Sequence, residues 1–189
     1  LGIGSSINII YSDIQSSWAG LGNIDVDPCF VEAGYWDANG TPNDVNDDSW
    51  VDGDYHLKSE GWRWNAEWQE WDFDRYTSRC IDAGNPGSAL GEELVSIPGD
   101  PNNQWGQNLR INMGAYGGTA EASMPPYDWA LLADCTNDGT VDFVDFAHLA
   151  TLFGQQDDEL PGDFDRDGDV DLSDVALLTK DWLEETSWY

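Results

Sequence analysis

Positively charged residues are scarce in this chain. Its 189 residues include only 7 lysines and arginines against 37 aspartates and glutamates, for a formal net charge of -30. A surface this acidic repels nucleic-acid phosphates, which excludes nucleic acid as a partner, and it disfavours binding to an anionic membrane surface. The surplus of carboxylates attracts cations instead, and divalent metal ions can bind it directly.

Long apolar runs are also missing. No stretch approaches the ~18 apolar residues needed to cross a bilayer, so we expect no membrane insertion. The N-terminus lacks the basic start of a secretory signal, which favours a mature form or a piece of a longer precursor. Few lysines, 11 tryptophans and many Asn, Asp and Gly residues are typical of a secreted, extracellular bacterial protein.

Cysteine and histidine are too few to indicate catalysis. Three cysteines occur without a CxxC motif, so at least one thiol is unpaired within the chain or pairs with another chain. The two histidines, His56 and His148, are expected to be structural, and no Ser–His–Asp arrangement is indicated. We predict no catalytic residue in this chain, although a longer precursor could be a polysaccharide lyase or glycoside hydrolase.

Most of the chain has the composition of short strands and turns. Residues 7–14 and 29–36 are predicted to be strands, 37–54 a loop, and 61–76 a hairpin that bends near Asn65 and Ala66. The four tryptophans of that hairpin fit either stacking on a sugar or packing within the hairpin. Consecutive prolines near residue 125 indicate a linker, and the predicted organisation is 1–124, linker 125–130, and a second domain at 131–185.

The second part contains an internal repeat. Residues 134–154 and 163–183 are identical at eight of 21 aligned positions. Each copy begins with twelve residues in which oxygen-bearing side chains alternate, and we name them loop one (134–145) and loop two (163–174). Calcium needs six to eight oxygen ligands, which a twelve-residue loop supplies from places one, three, five, seven, nine and twelve, place seven through its carbonyl.

The ligand places define two predicted calcium sites. In loop one they are Asp134, Thr136, Asp138, Thr140, Asp142 and Asp145. In loop two they are Asp163, Asp165, Asp167, Asp169, Asp171 and Asp174. Glycine at place six allows the sharp turn, and valine at place eight is expected to join the core. Because loop one has threonine at place three, we expect loop two to bind calcium more tightly.

A helix is expected after each loop. Apolar residues recur with helical spacing at positions 146, 149, 150 and 153 after loop one, and at 175, 178, 179 and 182 after loop two, position 179 being a threonine. These faces are predicted to pack against each other, and Gly154 suits the end of the first helix. Pro161 and Gly162 stand where a helix preceding loop two would end, so each unit is a loop followed by one helix.

Paired loop–helix units with aspartate at place twelve resemble the type I dockerin family, over about residues 131–185. The resemblance implies a small all-α domain that binds two calcium ions and docks onto a cohesin domain. In many dockerins places ten and eleven contact the cohesin. The corresponding residues, Phe143, Val144, Leu172 and Ser173, are more apolar than in those members and are the predicted partner-binding residues.

Short motifs in residues 7–124, such as GNIDVDPCFV and RINMGAYGGTAEAS, resemble the C-terminal end of secreted right-handed parallel β-helix proteins. The resemblance implies a mainly β fold, formed by the last rungs and cap of a β-helix. Cys29 and Cys80 lie in two of these motifs and are the candidates for a disulfide. The predicted fold class is therefore a β-helix end followed by an all-α dockerin-like domain.

The function expected from these features is calcium-dependent attachment or assembly outside the cell. The partner can be a cohesin-like domain, another copy of the chain, or the body of the same protein. Two alternatives remain open: the tail of a polysaccharide-degrading enzyme or carbohydrate-binding protein, and a subunit of an extracellular filament or surface lattice.

Overall fold

Short antiparallel hairpins and two short helices make up the fold. The structure is a computed structural model that describes residues 6–96 and 106–188. Its strands are β1 (Phe30–Glu32), β2 (Tyr35–Asp37), β3 (Ser49–Val51), β4 (Asp54–Leu57), β5 (Arg63–Asn65) and β6 (Glu70–Asp72). Its helices are α1 (Phe143–Leu152) and α2 (Leu172–Leu178), and a 3-10 turn follows at Thr179–Asp181. No described helix is long and apolar enough to span a membrane.

Residues 30–57 form one long hairpin in two tiers. β1 pairs antiparallel with β4, and β2 pairs with β3 inside them, so part of the predicted loop 37–54 is strand. Trp36 lies directly opposite Trp50, with ring centroids 5.4 Å apart in an edge-to-face arrangement. Two-stranded ribbons are marginal in water, and such cross-strand aromatic pairs stabilise them.

The predicted hairpin at 61–76 is confirmed. β5 pairs with β6, and Trp64 faces Trp71 with centroids 5.8 Å apart. Trp62 packs edge-to-face on Phe73 at 5.7 Å, whereas Trp68 in the connecting turn is 64 % exposed. Packing within the hairpin therefore accounts for three of its four tryptophans without a sugar.

The prediction of a parallel β-helix is wrong. All strand pairs in the described parts are antiparallel, and the parallel contact is a single bridge between Asp13 and Ile24. Residues 7–14 have the β-branched composition of a strand, but this bridge is their only strand pairing in the described parts. Because β-propensity expresses packing against neighbouring strands, it does not specify which strand lies alongside.

The prediction of an all-α dockerin-like domain is wrong as well. Residues 131–188, named here the repeat segment, contain two short helices and long loops. They are bonded to the preceding residues, named the body (6–96 and 106–130), through buried polar side chains. Arg110 of the body is fully buried and donates to the carbonyl of Asp134 at 2.5 Å. This bond joins loop one to the body, although the repeat segment also has a core cluster of its own.

Two clusters of buried apolar residues hold the molecule together. The first is in the body and includes Tyr11, Leu57, Ile81 and Met113. It also takes in Trp129, from the stretch predicted as a linker. The second lies in the repeat segment and consists of Ala133, Val141, Leu149, Phe164, Val170 and Leu178. The domain boundaries drawn from the sequence stay a prediction.

Candidate metal centre

The two loops have the same backbone conformation. Place four is left-handed in both, with φ 56° at Asn137 and 57° at Arg166. Place six is glycine in both, with φ 96° at Gly139 and 98° at Gly168. Glycine adopts such values without steric cost, whereas a side chain at place six would be strained. The repeat seen in the sequence is thus a repeat in three dimensions.

The carboxylate at place one accepts two backbone N–H groups within its own loop. Asp134 accepts from Asp138 at 3.3 Å through Oδ1 and from Gly139 at 2.9 Å through Oδ2. Asp163 makes the corresponding two bonds in loop two, at 3.1 and 3.0 Å. These bonds wrap the first half of each loop around the carboxylate of its first residue.

The carboxylate at place twelve closes each loop from the other side. Asp145 accepts from the N–H of Thr136 at 3.1 Å and from that of Asp142 at 2.9 Å. Asp174 makes the equivalent bonds in loop two at 3.3 and 2.8 Å. The place-nine aspartates cap the helices, so α1 and α2 begin at place ten, inside the loops and earlier than the predicted start after place twelve.

The four carboxylates at places one and twelve are buried without a cation. Asp134, Asp145, Asp163 and Asp174 are at most 2 % exposed. In the described parts of the chain, none of these four aspartates has a nitrogen of a basic side chain within 4.0 Å of its carboxylate oxygens. Burying an ionised carboxylate costs several kcal/mol unless it is paired or bound to a metal, and backbone N–H bonds offset only part of that cost. Arg110 and Arg166 act on Asp134 and Asp163 from a distance, but none of the four carboxylates has an ion pair within 4.0 Å in the described structure.

Oxygen spacing in loop two fits a metal ion. Carboxylate oxygens of Asp163, Asp165 and Asp174 all lie within 4.8 Å of one another. Oxygens held at calcium distances of 2.3–2.6 Å from a common ion are roughly 3–5 Å apart. The structure thus brings places one, three and twelve together, whereas Asp167 and Asp171 lie outside this group and bind backbone N–H groups.

Loop one has the same arrangement with a hydroxyl at place three. Oγ1 of Thr136 lies 3.3 Å from an oxygen of Asp134 and 3.2 Å from one of Asp145. Cys135 at place two is buried, and its thiol donates to Asp145 at 3.5 Å. Burial raises the pKa of this thiol, so it stays protonated and neutral.

The carbonyls at place seven are free to bind a metal. In loop one the carbonyls of Gly139 and Val141 accept backbone N–H groups from the C-terminal tail. Between them, the carbonyl of Thr140 accepts no backbone N–H group from the described residues. The carbonyl of Asp169, at place seven of loop two, likewise accepts none from them. Asp169 turns its carboxylate toward Gln156, at 3.5 Å, which agrees with the predicted use of its carbonyl.

Burial and mutual repulsion disfavour the ionised state of Asp134 and Asp165. Burial raises the pKa of Asp134 to about 6, although nearby Arg110 acts in the opposite direction. Partial desolvation and the carboxylates of Asp174 and Asp167 raise the pKa of Asp165. A metal ion would remove both effects by holding the carboxylates in their charged form.

Acid is expected to release calcium from loop one. Because calcium binds the carboxylate and not the acid, protons compete for Asp134 as the pH falls through about 6, and affinity should drop by up to roughly tenfold per pH unit. The measurement is a calcium titration at several pH values on the Asp163→Ala chain, in which only loop one is intact. An affinity independent of pH between about 7.5 and 5.5 would contradict this expectation.

The predicted partner-binding residues lie on the surface at the start of each helix. Phe143 and Leu172 are both 73 % exposed, and Val144 and Ser173 beside them are also exposed. The ring of Phe143 packs edge-to-face on Trp182 with centroids 5.0 Å apart. None of the four contributes to the oxygen arrangement at the loop centres.

The disulfide considered for Cys29 and Cys80 is not formed in the structure, where both are free thiols. Cys80 is buried and donates to Asp13 at 3.4 Å. Cys29 adopts a left-handed backbone, with φ 53°. Because the thiol of Cys80 is directed to a carboxylate, its position is explained without a bridge.

A groove of about 1160 Å³ in the body was not foreseen from the sequence. Its lining includes three acids, Asp13, Asp25 and Asp27. Each already accepts a hydrogen bond from the groove's own loops: Val26 N–H to Asp13, Ser17 hydroxyl to Asp25, and Cys29 N–H to Asp27. These bonds account for the positions of the three carboxylates, which carry no indication of acid–base chemistry.

No protein-family model, curated protein or solved structure matches this chain.

Proposed function

We propose that this chain binds two calcium ions, one in each loop, and that it serves calcium-dependent attachment or assembly outside the cell. The observation that carries the proposal is the set of four buried carboxylates at places one and twelve, which have no ion pair in the described structure. Two loops with nearly the same φ angles at places four and six, and the same N–H bonds to places one and twelve, support two sites of one kind.

Calcium fits this ligand set better than other metals. The ligand atoms are all carboxylate, hydroxyl and carbonyl oxygens, which hard cations prefer, whereas zinc and copper favour nitrogen and sulfur. The ligands come from a flexible loop, which suits calcium better than magnesium, an ion that demands near-ideal octahedral geometry. With several exposed ligands, an affinity on the order of 10⁻⁷–10⁻³ M is expected, and loop two with its additional aspartates should be the tighter site.

The exposed apolar residues at places ten and eleven are proposed as the attachment surface. Calcium holds each loop closed, and the closed loop places Phe143 and Leu172 at the first turn of its helix. A protein partner is favoured because these side chains are apolar, while the strongly acidic surface around them repels anionic polymers. A second copy of the chain is the partner that is simplest to test.

Replacing Phe143 and Leu172 with aspartate should abolish calcium-dependent assembly. Both side chains are 73 % exposed and neither is a proposed ligand, so each calcium affinity should change by less than about threefold while the apolar contact with a partner is lost. Sedimentation velocity of the wild type is expected to show larger species in calcium than in chelator, and the double variant should sediment as a monomer in both. Assembly that persists in the variant, or a wild type that is monomeric in calcium, would contradict self-attachment through this surface.

A further inference from the structure

Place four of each loop binds the body. In loop one, Nδ2 of Asn137 donates to the carbonyls of Gly22 at 2.7 Å and Ala83 at 2.8 Å. The side chain is 4 % exposed, so these bonds are shielded from water. One side chain from the loop thus joins two segments of the body that are far apart in the sequence.

Loop two makes the same kind of contact with a different residue. Nε of Arg166 donates to the carbonyl of Pro86 at 3.0 Å, and Nη2 donates to that of Leu109 at 2.6 Å. Asparagine and arginine share neither size nor charge, yet both stand at place four and both bind two backbone carbonyls. The recurrence indicates that place four is the position from which this loop geometry reaches the body.

The body also donates a hydrogen bond to loop one. Arg110 is fully buried and donates to the carbonyl of Asp134 at place one, and to those of Gly84 and Ala83 within the body. Ala83 thus accepts from both Asn137 and Arg110. The contacts of both loops converge on residues 83–86 and 109–110, where two body segments pair through Gly84 N–H and the Ile111 carbonyl at 2.8 Å.

A bound metal would determine the backbone at place four. Places three and five lie on either side of it, and when both face one ion the residue between them must turn away from the ion. The left-handed φ of about 57° at Asn137 and Arg166 makes that turn. Left-handed backbone is unfavourable for most residues with side chains, so without a metal it depends on the N–H bonds to the place-one carboxylate and on the place-four contacts themselves. The aspartates around it would also repel one another.

We propose that calcium locks the repeat segment onto the body through the place-four residues Asn137 and Arg166, so that the two parts unfold as one unit only when the loops are loaded. This inference rests on the proposed calcium binding, and it identifies the body as the part of the chain to which the loaded loops attach. The body then gains stability from calcium although it contains no proposed ligand. The exposed attachment surface at places ten and eleven is also held in a fixed orientation to the body.

The test uses the full chain with Asn137→Gly and Arg166→Gly. Glycine keeps the left-handed backbone at place four and removes the side chain that binds the body. Helical circular dichroism reports the repeat segment, which holds both described helices. Near-ultraviolet dichroism reports chiefly the body, which has eight of the 11 tryptophans. In calcium, both signals of the wild type should be lost in one thermal transition, whereas the double variant should show two.

Lys180→Ala is the matched control, since it removes one positive charge from the repeat segment outside the loops. It should keep the single transition. Calcium titration separates the two claims: a double variant that binds two ions but still melts in one transition overturns the lock alone, whereas a wild type that binds no calcium overturns the proposed function.

Hydrogen exchange on the wild type tests the lock without any variant. The amides of Gly84 and Met113 bond across the paired body segments, to Ile111 and Cys80. Calcium should slow their exchange by at least about tenfold, because opening these segments would also require breaking the place-four contacts. Equal exchange with and without calcium, in a chain that binds the metal, would overturn the lock.

Discussion

Asp163→Ala is expected to remove the second calcium site while leaving the first. Asp163 is 2 % exposed, belongs to the group of oxygens within 4.8 Å, and accepts the N–H groups of Asp167 and Gly168 that shape the loop. The variant therefore loses a direct ligand together with two bonds that organise the others. Even indirect partners of metal ligands are worth about 10–100-fold in affinity, so at least about 100-fold is expected here.

The measurement is a calcium titration of both chains, in which the stoichiometry should fall from two ions to one at concentrations that saturate the wild type. Asp158→Ala is the matched control, because it removes the same charge from an exposed acid close to loop two that is not a proposed ligand. Its effect should stay below about threefold, as for a screened surface charge. Equal losses in the two variants would show that overall charge, and not coordination, attracts the ion.

The difference in stability between the Asp163→Ala chain and the wild type should also depend on calcium. In calcium, the variant is expected to unfold more easily than the wild type because it lacks the binding energy of one site. In chelator the difference should largely vanish, since the variant then also has less repulsion among its loop aspartates. A deficit of equal size under both conditions would mean that Asp163 acts through packing alone.

Arg110→Met should destabilise the whole chain by about 2–6 kcal/mol, because the buried carbonyls of Gly84 and Asp134 lose their donor, whereas that of Ala83 keeps Asn137. The guanidinium is fully buried and donates to three carbonyls, those of Ala83, Gly84 and Asp134. Each carbonyl left without a donor costs about 1–3 kcal/mol, and methionine fills the space but donates nothing. Because single domains have only about 5–15 kcal/mol in total, this loss threatens folding at ordinary temperatures.

Chemical denaturation in calcium measures this effect, with Arg75→Met as the control. Arg75 is exposed, and its replacement removes the same charge at a cost below about 0.5 kcal/mol. Arg110→Lys should rescue little, since an ammonium cannot reproduce a planar fork that serves three acceptors. If Arg110→Met is as stable as Arg75→Met, the bonds between Arg110 and Asp134 do not join the two parts of the molecule.

The loops were predictable from the sequence because their chemistry is local. The proposed calcium ligands, the glycine turn and the helix cap lie within twelve residues, so spacing alone predicts a helix at each loop, although α1 and α2 begin three residues earlier than expected. The helix faces were less predictable. Leu149 and Leu178 are buried as expected, but Phe146 and Phe153 are exposed, because α1 has only ten residues and the second core is small.

The body was not predictable in the same way. Its strands have three or four residues, too short for a pattern of alternation to decide the pairing, and the similarity to parallel β-helix proteins led to the wrong topology. Arg110 gives no sign of its role either, since its acceptors lie 24–27 residues away in the sequence. The place-four residues were unremarkable for the same reason: Asn137 and Arg166 matter through carbonyls 54–115 and 57–80 residues distant.

Isothermal titration of the chelated chain with calcium tests the central claim most directly, followed in parallel by helical circular dichroism. Two ions should bind per chain, with helical signal gained over the same range of calcium concentration, because loop closure and helix capping share the aspartates at places nine and twelve. No heat of binding at millimolar calcium, together with identical melting in calcium and in chelator, would contradict the claim that these loops are calcium sites.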